Sequence, residues 1–95
     1  MNIQDLLTKE KAVSTNLLFK SGQATATIIQ ILKGEQLKEH ITQVPAILIC
    51  ILGEAIFENE KGAKETLLSG DYVRIEPMIK HWVNSNANSQ LILFK

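Results

Sequence analysis

The feature that most constrains the fold of this chain is the regular spacing of its turn signals. From Val13 onward, short segments rich in β-branched and apolar residues alternate with turns that contain glycine. Many short strands separated by frequent turns favour an all-β sandwich or barrel over a parallel sheet flanked by helices. The predicted strands are residues 13–20, 23–32, 37–42, 46–59 with a bend near Gly53, 63–68, 72–76, 81–84 and 90–94.

The first eleven residues have a different pattern. Ile3, Leu6 and Leu7 have the i, i+3, i+4 spacing of an apolar helical stripe, and Asn2 is a suitable N-cap. Residues 1–11 are therefore interpreted as a short helix that docks on the body of the domain, with a poorly ordered tail as the alternative.

Size and charge exclude several classes of function. Ninety-five residues make one domain, predicted here as residues 1–95, and a hydrophobic fraction of 45% is typical of a globular protein. Ten basic residues balance ten acidic ones, and no run of like charge is present. Binding to nucleic acid or to a membrane surface is therefore not expected.

The single cysteine and the short apolar runs bear on localisation. Cys50 has no partner for an internal disulfide, and a lone cysteine in an apolar run suits a reducing compartment. The N-terminus lacks the pattern of a signal peptide, and the longest apolar run, residues 46–52, is too short to cross a membrane as a helix. We therefore expect a cytoplasmic protein.

Two predicted strands are apolar on both faces. A strand with one wet face should alternate apolar and polar residues, but residues 47–52 do not, and residues 91–94 show the same pattern. One face can fill the barrel, so the other needs a cover. Either the N-terminal helix or a second subunit could supply it, and a homodimer is the favoured interpretation.

Two glycine-to-histidine spacings occur in the middle of the chain. Gly34 precedes His40 by five intervening residues, and Gly53 closes that segment. A second segment opens at Gly70 and places His81 eleven positions later. Together these segments resemble the two sequence motifs of the cupin family, here residues 34–53 and 70–85. The resemblance implies a small RmlC-like cupin, a jelly-roll barrel also called a double-stranded β-helix.

The departures from the cupin pattern affect the metal site. Cupins with the full pattern hold a divalent transition metal with three histidines and one glutamate. Here Thr42 stands where the second histidine would be, and the place of the glutamate is taken by Ala46 or, with the longer spacing of the motif, by Ile47. Only His40 and His81 of those four ligands remain. A neutral hydroxyl is a weak ligand for such metals compared with imidazole or carboxylate.

The resemblance implies a pocket inside the barrel. We expect its ligand-binding residues to be His40, Thr42, Leu48, His81 and Val83, with His40 and His81 as the candidate metal ligands. No firmly bound cofactor is expected, and a weakly bound divalent transition metal stays open as an alternative.

Several functions follow from this set of residues. The favoured one is a non-catalytic protein that binds a small molecule of unknown specificity, since barrel mouths are usual ligand sites. The main alternative is a metal-dependent enzyme of dioxygenase or isomerase type with a minimal two-histidine site. A metal-independent enzyme that uses His40 or His81 as a general base, and a regulatory subunit, are the remaining alternatives.

Overall fold

The computed structural model describes all residues from Met1 to Lys95, and β-strands make up most of it. One short 3-10 helix precedes nine strands. No helix is both long enough and apolar enough to span a membrane. The elements are the 3-10 helix Ile3–Leu6 and the strands β1 Val13–Ser21, β2 Ala24–Ile31, β3 Gln36–His40, β4 Ala46–Leu52, β5 Ala55–Asn59, β6 Lys64–Leu67, β7 Tyr72–Ile75, β8 His81–Ser85 and β9 Ser89–Phe94.

The strands form two antiparallel sheets. The larger sheet has five strands in the order β1-β2-β9-β4-β7, and the smaller sheet has four in the order β3-β8-β5-β6. From β2 onward the chain passes repeatedly between the two sheets. Strands that are neighbours in a sheet, such as β2 and β9, are therefore far apart in sequence. This arrangement is the predicted jelly roll, in which two sheets enclose a core between their inner faces.

Alternating residues of both sheets build that core. On the larger sheet, inward side chains of β2, β4 and β9 are almost fully buried, and on the smaller sheet those of β5, β6 and β8 meet them. The single cysteine lies among them as a small apolar residue. The core residues are Ile29, Ile31, Ala46, Leu48, Cys50, Ala55, Phe57, Leu67, Ile75, Val83, Leu91 and Leu93.

The strand predicted over residues 46–59 is divided at the bend near Gly53. Its first part is β4 in the larger sheet, and its second part is β5 in the smaller sheet. Gly53 has a φ of 94°, a left-handed conformation that favours glycine. A Cβ atom there would lie 2.5 Å from the carbonyl oxygen of Asn88. Glycine therefore permits the close approach of backbones where the chain changes sheets.

The N-terminal segment, residues 1–11, covers part of the outer face of the larger sheet. Gln4 and Gln90 exchange two side-chain hydrogen bonds of 2.9 Å, and the carbonyl of Thr8 accepts a 3.3 Å bond from Gln30. Gln30, Gln90 and Ile28 all face outward, yet each is buried. Within this segment, the predicted helix is a short 3-10 helix. Asn2 caps it, because its side-chain oxygen accepts a hydrogen bond from the backbone N–H of Gln4.

Candidate functional site

A β-bulge in β3 turns His40 toward the interior. In a regular strand, residues three apart point to opposite faces, so Leu37 and His40 could not both point inward. The register with β8 shifts between these two residues, and as a result Lys38 and Glu39 both line an outer groove beside Trp82. Bulges re-aim side chains in this way. His40 and Leu37 consequently line the same small interior cavity.

His81 is placed by β8 and is held by its neighbours. His81 and Val83 point inward along β8, and the alternate residues point outward. The imidazole of His81 is 2% exposed and stacks on Phe57, with a ring-centroid separation of 5.7 Å and an interplanar angle of 29°. Phe57 was not among the predicted site residues, because it comes from the hairpin between the two motifs.

The two imidazoles have the same tautomer for the same reason. The Nδ1 of His40 lies 2.9 Å from the carbonyl oxygen of Lys38, and the Nδ1 of His81 lies 3.1 Å from that of Ile79. A carbonyl oxygen only accepts, so Nδ1 carries the proton in both rings. Each neutral ring therefore has an unprotonated Nε2, and no protein group forms a hydrogen bond with either.

Burial favours the neutral form of His81. Removal from water lowers the pKa of His81 below its ordinary value, and repulsion from His40 and Lys95 acts in the same direction. The hydrogen bond to the carbonyl of Ile79 opposes this shift only in part. His81 is consequently neutral at pH 7, with a lone pair available at Nε2.

The interior cavity beside the histidines is small. Its volume is about 10 Å³, which is room for about one water molecule. Leu48 contributes to its lining, whereas Val83 is buried in the core next to it. An organic ligand therefore has no room between the sheets in this conformation. The cavity is lined by Ile29, Leu37, His40, Leu48, Ile75, His81 and Leu93.

Thr42 lies outside the strand on which it was predicted. β3 ends at His40, so Thr42 belongs to the loop that leads to β4 and does not share a strand face with His40. Its side chain is 2% exposed, and its Oγ1 has no hydrogen-bond partner. Its carbonyl accepts a 2.8 Å bond from the backbone N–H of Met78, which joins two loops at this end of the barrel.

The residues present do not fit the cupin metal site. No group of three or more histidine, cysteine, aspartate or glutamate side chains is close enough together to hold a metal ion. The two free Nε2 atoms of His40 and His81 could each donate a lone pair. Sites that hold catalytic zinc supply three protein ligands. Two imidazoles thus fall short of that set.

A larger groove lies at the same end of the barrel, on the outer face of the larger sheet. It has a volume of about 640 Å³, and seven of its eleven lining residues are hydrophobic. Ile75 lines both this groove and the interior cavity. The groove is therefore separated from the histidine pair by the thickness of one side chain. Its lining is Phe19, Ala24, Thr25, Ala26, Pro45, Ala46, Ile47, Arg74, Ile75, Phe94 and Lys95.

The strand register explains why these side chains meet. Phe19 pairs with Ala26, Ala26 with Phe94, Phe94 with Ile47, and Ile47 with Arg74. One transverse row thus crosses all five strands, and cross-strand partners point to the same face. The two aromatic rings are well exposed, at 63% for Phe19 and 44% for Phe94.

The charged side chains of the groove have one sign. Arg74 and Lys95 are the only charged residues in its lining, and both are basic. Lys95 is also near enough to His81 to depress its pKa by repulsion. None of these groove residues was predicted to bind a ligand, although the apolar outer faces of β4 and β9 indicated that something covers them.

Comparison with known proteins supports the fold. No protein-family model and no curated protein sequence matches the chain. A solved cupin superfamily protein from Desulfitobacterium hafniense superposes with a TM-score of 0.83 at 16% identity, covering 93% of this chain and 80% of that one. An RmlC-like cupin from Shewanella frigidimarina gives a TM-score of 0.79 at 19% identity, with coverages of 87% and 74%.

A third structure is similar but has no assigned activity. It is a conserved protein of unknown function from Streptococcus pyogenes, with a TM-score of 0.82 at 15% identity, covering 96% of this chain and 79% of that one. At such identities the likeness is one of fold. The chain has the all-β, RmlC-like cupin fold that its two motifs predicted.

Proposed function

We propose that this chain is a non-catalytic binding protein for a small organic anion with an apolar body, and that the outer groove is its binding site. The observation that carries this proposal is the groove's composition, an apolar floor with Arg74 and Lys95 as its only charged side chains. Ligand sites are concave, mostly apolar and provided with a few polar groups that fix orientation.

The apolar floor would supply most of the affinity. Phe19, Ile47 and Phe94 expose apolar surface that water must solvate in the free protein. Burying a methylene group contributes about 0.8 kcal/mol, so a chain of six methylenes would gain roughly 5 kcal/mol before the costs of association. A straight aliphatic or aromatic body fits this floor, because the row of side chains runs across the sheet.

The two basic residues would select an anion. Arg74 belongs to the transverse row through its pairing with Ile47, and Lys95 directly follows Phe94. A guanidinium recognises a carboxylate through two parallel hydrogen bonds. No acidic side chain lines the groove to oppose that interaction. A carboxylate, sulfonate or phosphate head group therefore suits this end of the site.

The surroundings of the histidine pair favour binding over catalysis. A catalytic histidine generally needs a carboxylate that orients it and a reacting group within reach. His40 and His81 are instead oriented by backbone carbonyls. Their other close contacts are aromatic, because the two imidazoles lie edge to face and His81 also stacks on Phe57. We assign them to the wall beneath the groove.

Isothermal titration with three eight-carbon probes tests the proposal. Octanoate, 1-octanol and octylammonium share an apolar body and differ in head-group charge. Octanoate should bind tightest, and Arg74→Gln should weaken octanoate about tenfold while leaving 1-octanol unchanged, because a charge-assisted hydrogen bond contributes about 1.5 kcal/mol or more. Lys64→Gln is the matched control, since it removes an exposed positive charge from a strand of the other sheet.

Two results would overturn the proposal. One is that no probe binds at concentrations up to the millimolar range. The other is that octanoate binds equally well to the wild type and to Arg74→Gln, which would place its site elsewhere. Ile47→Glu supplies a further check, because a carboxylate in the groove should weaken octanoate and strengthen octylammonium.

A metal-dependent enzyme with a two-histidine site is the second candidate. The observation that favours it is the tautomer of His40 and His81, because metal-binding histidines usually donate their other ring N–H to a carbonyl or carboxylate. Elemental mass spectrometry after dialysis against Zn, Ni, Mn and Fe(II) tests it. Near one metal per chain, lost in both His40→Ala and His81→Ala, would replace the binding-protein proposal.

A further inference from the structure

We propose that the outer face of the smaller sheet carries a second ligand site, which takes a small zwitterion with a quaternary ammonium group and a carboxylate. The site is the groove beside Trp82, here called the Trp82 groove, with a volume of about 390 Å³. Its lining is Gln36, Lys38, Glu39 and Trp82. None of these residues lines the groove of the larger sheet, so this proposal does not depend on octanoate binding.

The bulge in β3 brings two opposite charges to the same groove. Two residues of a bulged strand oppose one residue of the partner strand, and the register leaves Lys38 and Glu39 together opposite Trp82 of β8. Both side chains are exposed. In a regular strand, consecutive residues point to opposite faces, so only one of the two would reach the groove.

Neither of these two charges is paired within the protein. The one salt bridge joins Lys61 to Glu76, and neither of those residues lines the Trp82 groove. Lys38 and Glu39 form no ion pair with each other or with another residue. A ligand with one cation and one anion is complementary to both groups, whereas a ligand with a single charge is opposed by one like charge.

Trp82 supplies a fixed aromatic wall. Its indole Nε1–H donates a 3.2 Å hydrogen bond to Oε2 of Glu58, which also accepts a 3.1 Å bond from Nδ2 of Asn84. The side-chain oxygen of Asn84 accepts a 2.9 Å bond from Gln36. This network crosses three strands and orients the ring before a ligand arrives, so little side-chain freedom is lost on binding. Because Glu58 engages the indole N–H, Trp82 offers the groove the carbon surface of its ring.

This combination selects a quaternary ammonium group over a primary one. A cation against the face of a tryptophan ring is attracted by the ring quadrupole, and quaternary ammonium groups are recognised in this way. A primary ammonium is a compact, strongly hydrated charge, which loses its hydration against the ring. Glu39 supplies the negative charge for the ammonium group, and Lys38 supplies the positive charge for the carboxylate. Glycine betaine is a simple molecule of this class.

The fluorescence of Trp82 reports binding directly, because it is the only tryptophan of the chain. Glycine betaine should change the emission saturably in the millimolar range, and glycine should bind more weakly. Glu39→Gln should weaken glycine betaine and tetramethylammonium about threefold each, as expected for an exposed ion pair. Lys38→Gln should weaken glycine betaine but strengthen tetramethylammonium, because it removes a repulsive charge.

The matched control is Lys9→Gln combined with Glu10→Gln. These residues are also an adjacent, exposed lysine and glutamate without an ion pair, but they lie in the N-terminal segment. The control should bind glycine betaine as the wild type does, whereas Lys38→Gln combined with Glu39→Gln should not. An emission that glycine betaine leaves unchanged at tens of millimolar would overturn the proposal. So would equal binding by the wild type and the variant at residues 38 and 39, or glycine that binds as tightly as glycine betaine.

Discussion

His40 and His81 are direct cross-strand partners, and their ring centroids lie 4.1 Å apart with an interplanar angle of 62°. The pair comes from the two sequence motifs, and the bulge in β3 completes it. At this distance in an apolar setting, two imidazolium ions would repel each other strongly. The arrangement therefore requires at least one neutral ring.

The first prediction concerns the dependence of stability on pH. The folded-state pKa of His81 is lowered, so between that pKa and about 6.5 the unfolded chain binds more protons than the folded one. The contribution of His81 to stability should therefore be complete above pH 6.5 and should be lost as the pH decreases through this window. The slope for one proton is at most about 1.4 kcal/mol per pH unit.

Urea unfolding of wild type and His81→Phe at pH 5 to 8 measures this contribution. Carboxylate titration is common to both proteins, so the difference between them isolates His81. The wild type should lose stability relative to His81→Phe on acidification, and the difference should be constant above pH 7. An NMR titration that places the pKa of His81 above 6.5 in the folded protein would contradict the prediction.

Much of the fold could be predicted from local sequence signals. Gly53 and the other turn glycines divide the strands, which predicted a sandwich or barrel. The resemblance of the segments around His40 and His81 to the cupin motifs narrowed this to a jelly roll. The bulge could not be predicted, because it depends on how β3 pairs with β8. Strict alternation places Leu37 and His40 on opposite faces, and only the pairing reveals that both point inward.

The outer groove could not be predicted from the sequence for a related reason. Its residues are scattered through the sequence and become neighbours only through the register of five strands. They include Phe19, Ile47, Arg74 and Phe94. The uninterrupted apolar runs at residues 47–52 and 91–94 did indicate apolar outer faces on β4 and β9. They could not indicate that the N-terminal segment covers one end of that face and leaves the other open.

The second prediction concerns the unpaired hydroxyl of Thr42. A buried hydroxyl without a partner loses its hydration and gains no hydrogen bond, which costs about 1 to 3 kcal/mol. Thr42→Val keeps the shape of the side chain and should raise the free energy of unfolding by about 1 kcal/mol. Ser85→Ala, at the other unpaired buried hydroxyl, should act in the same direction. A loss of stability in Thr42→Val would indicate that an ordered water or a ligand group binds its Oγ1.

The third prediction separates two costs of replacing a glycine. Gly53 and Gly62 have φ values of 94° and 90°, so alanine suffers similar backbone strain at both, about 1 to 2 kcal/mol. A Cβ at Gly62 meets open space, whereas one at Gly53 collides with backbone atoms of Asn88 and Ser89. Gly53→Ala should therefore cost about 3 kcal/mol or more in chemical denaturation. Equal losses in the two variants would show that the backbone at residues 88–89 yields freely.

The fourth prediction concerns the N-terminal segment as a cover. Ile28 faces outward yet is fully buried. The segment crosses the sheet beside it, where Gln4 donates to Gln90 and the carbonyl of Thr8 accepts from Gln30. Deleting residues 1–8 should therefore lower the free energy of unfolding by about 2 to 3 kcal/mol, the cost of exposing a large aliphatic side chain. Gln4→Ala is the control, because it removes only the side-chain bonds to Gln90 and should cost about 1 kcal/mol. Equal stability of the truncated and full chains in urea would mean that the segment does not supply the cover of Ile28.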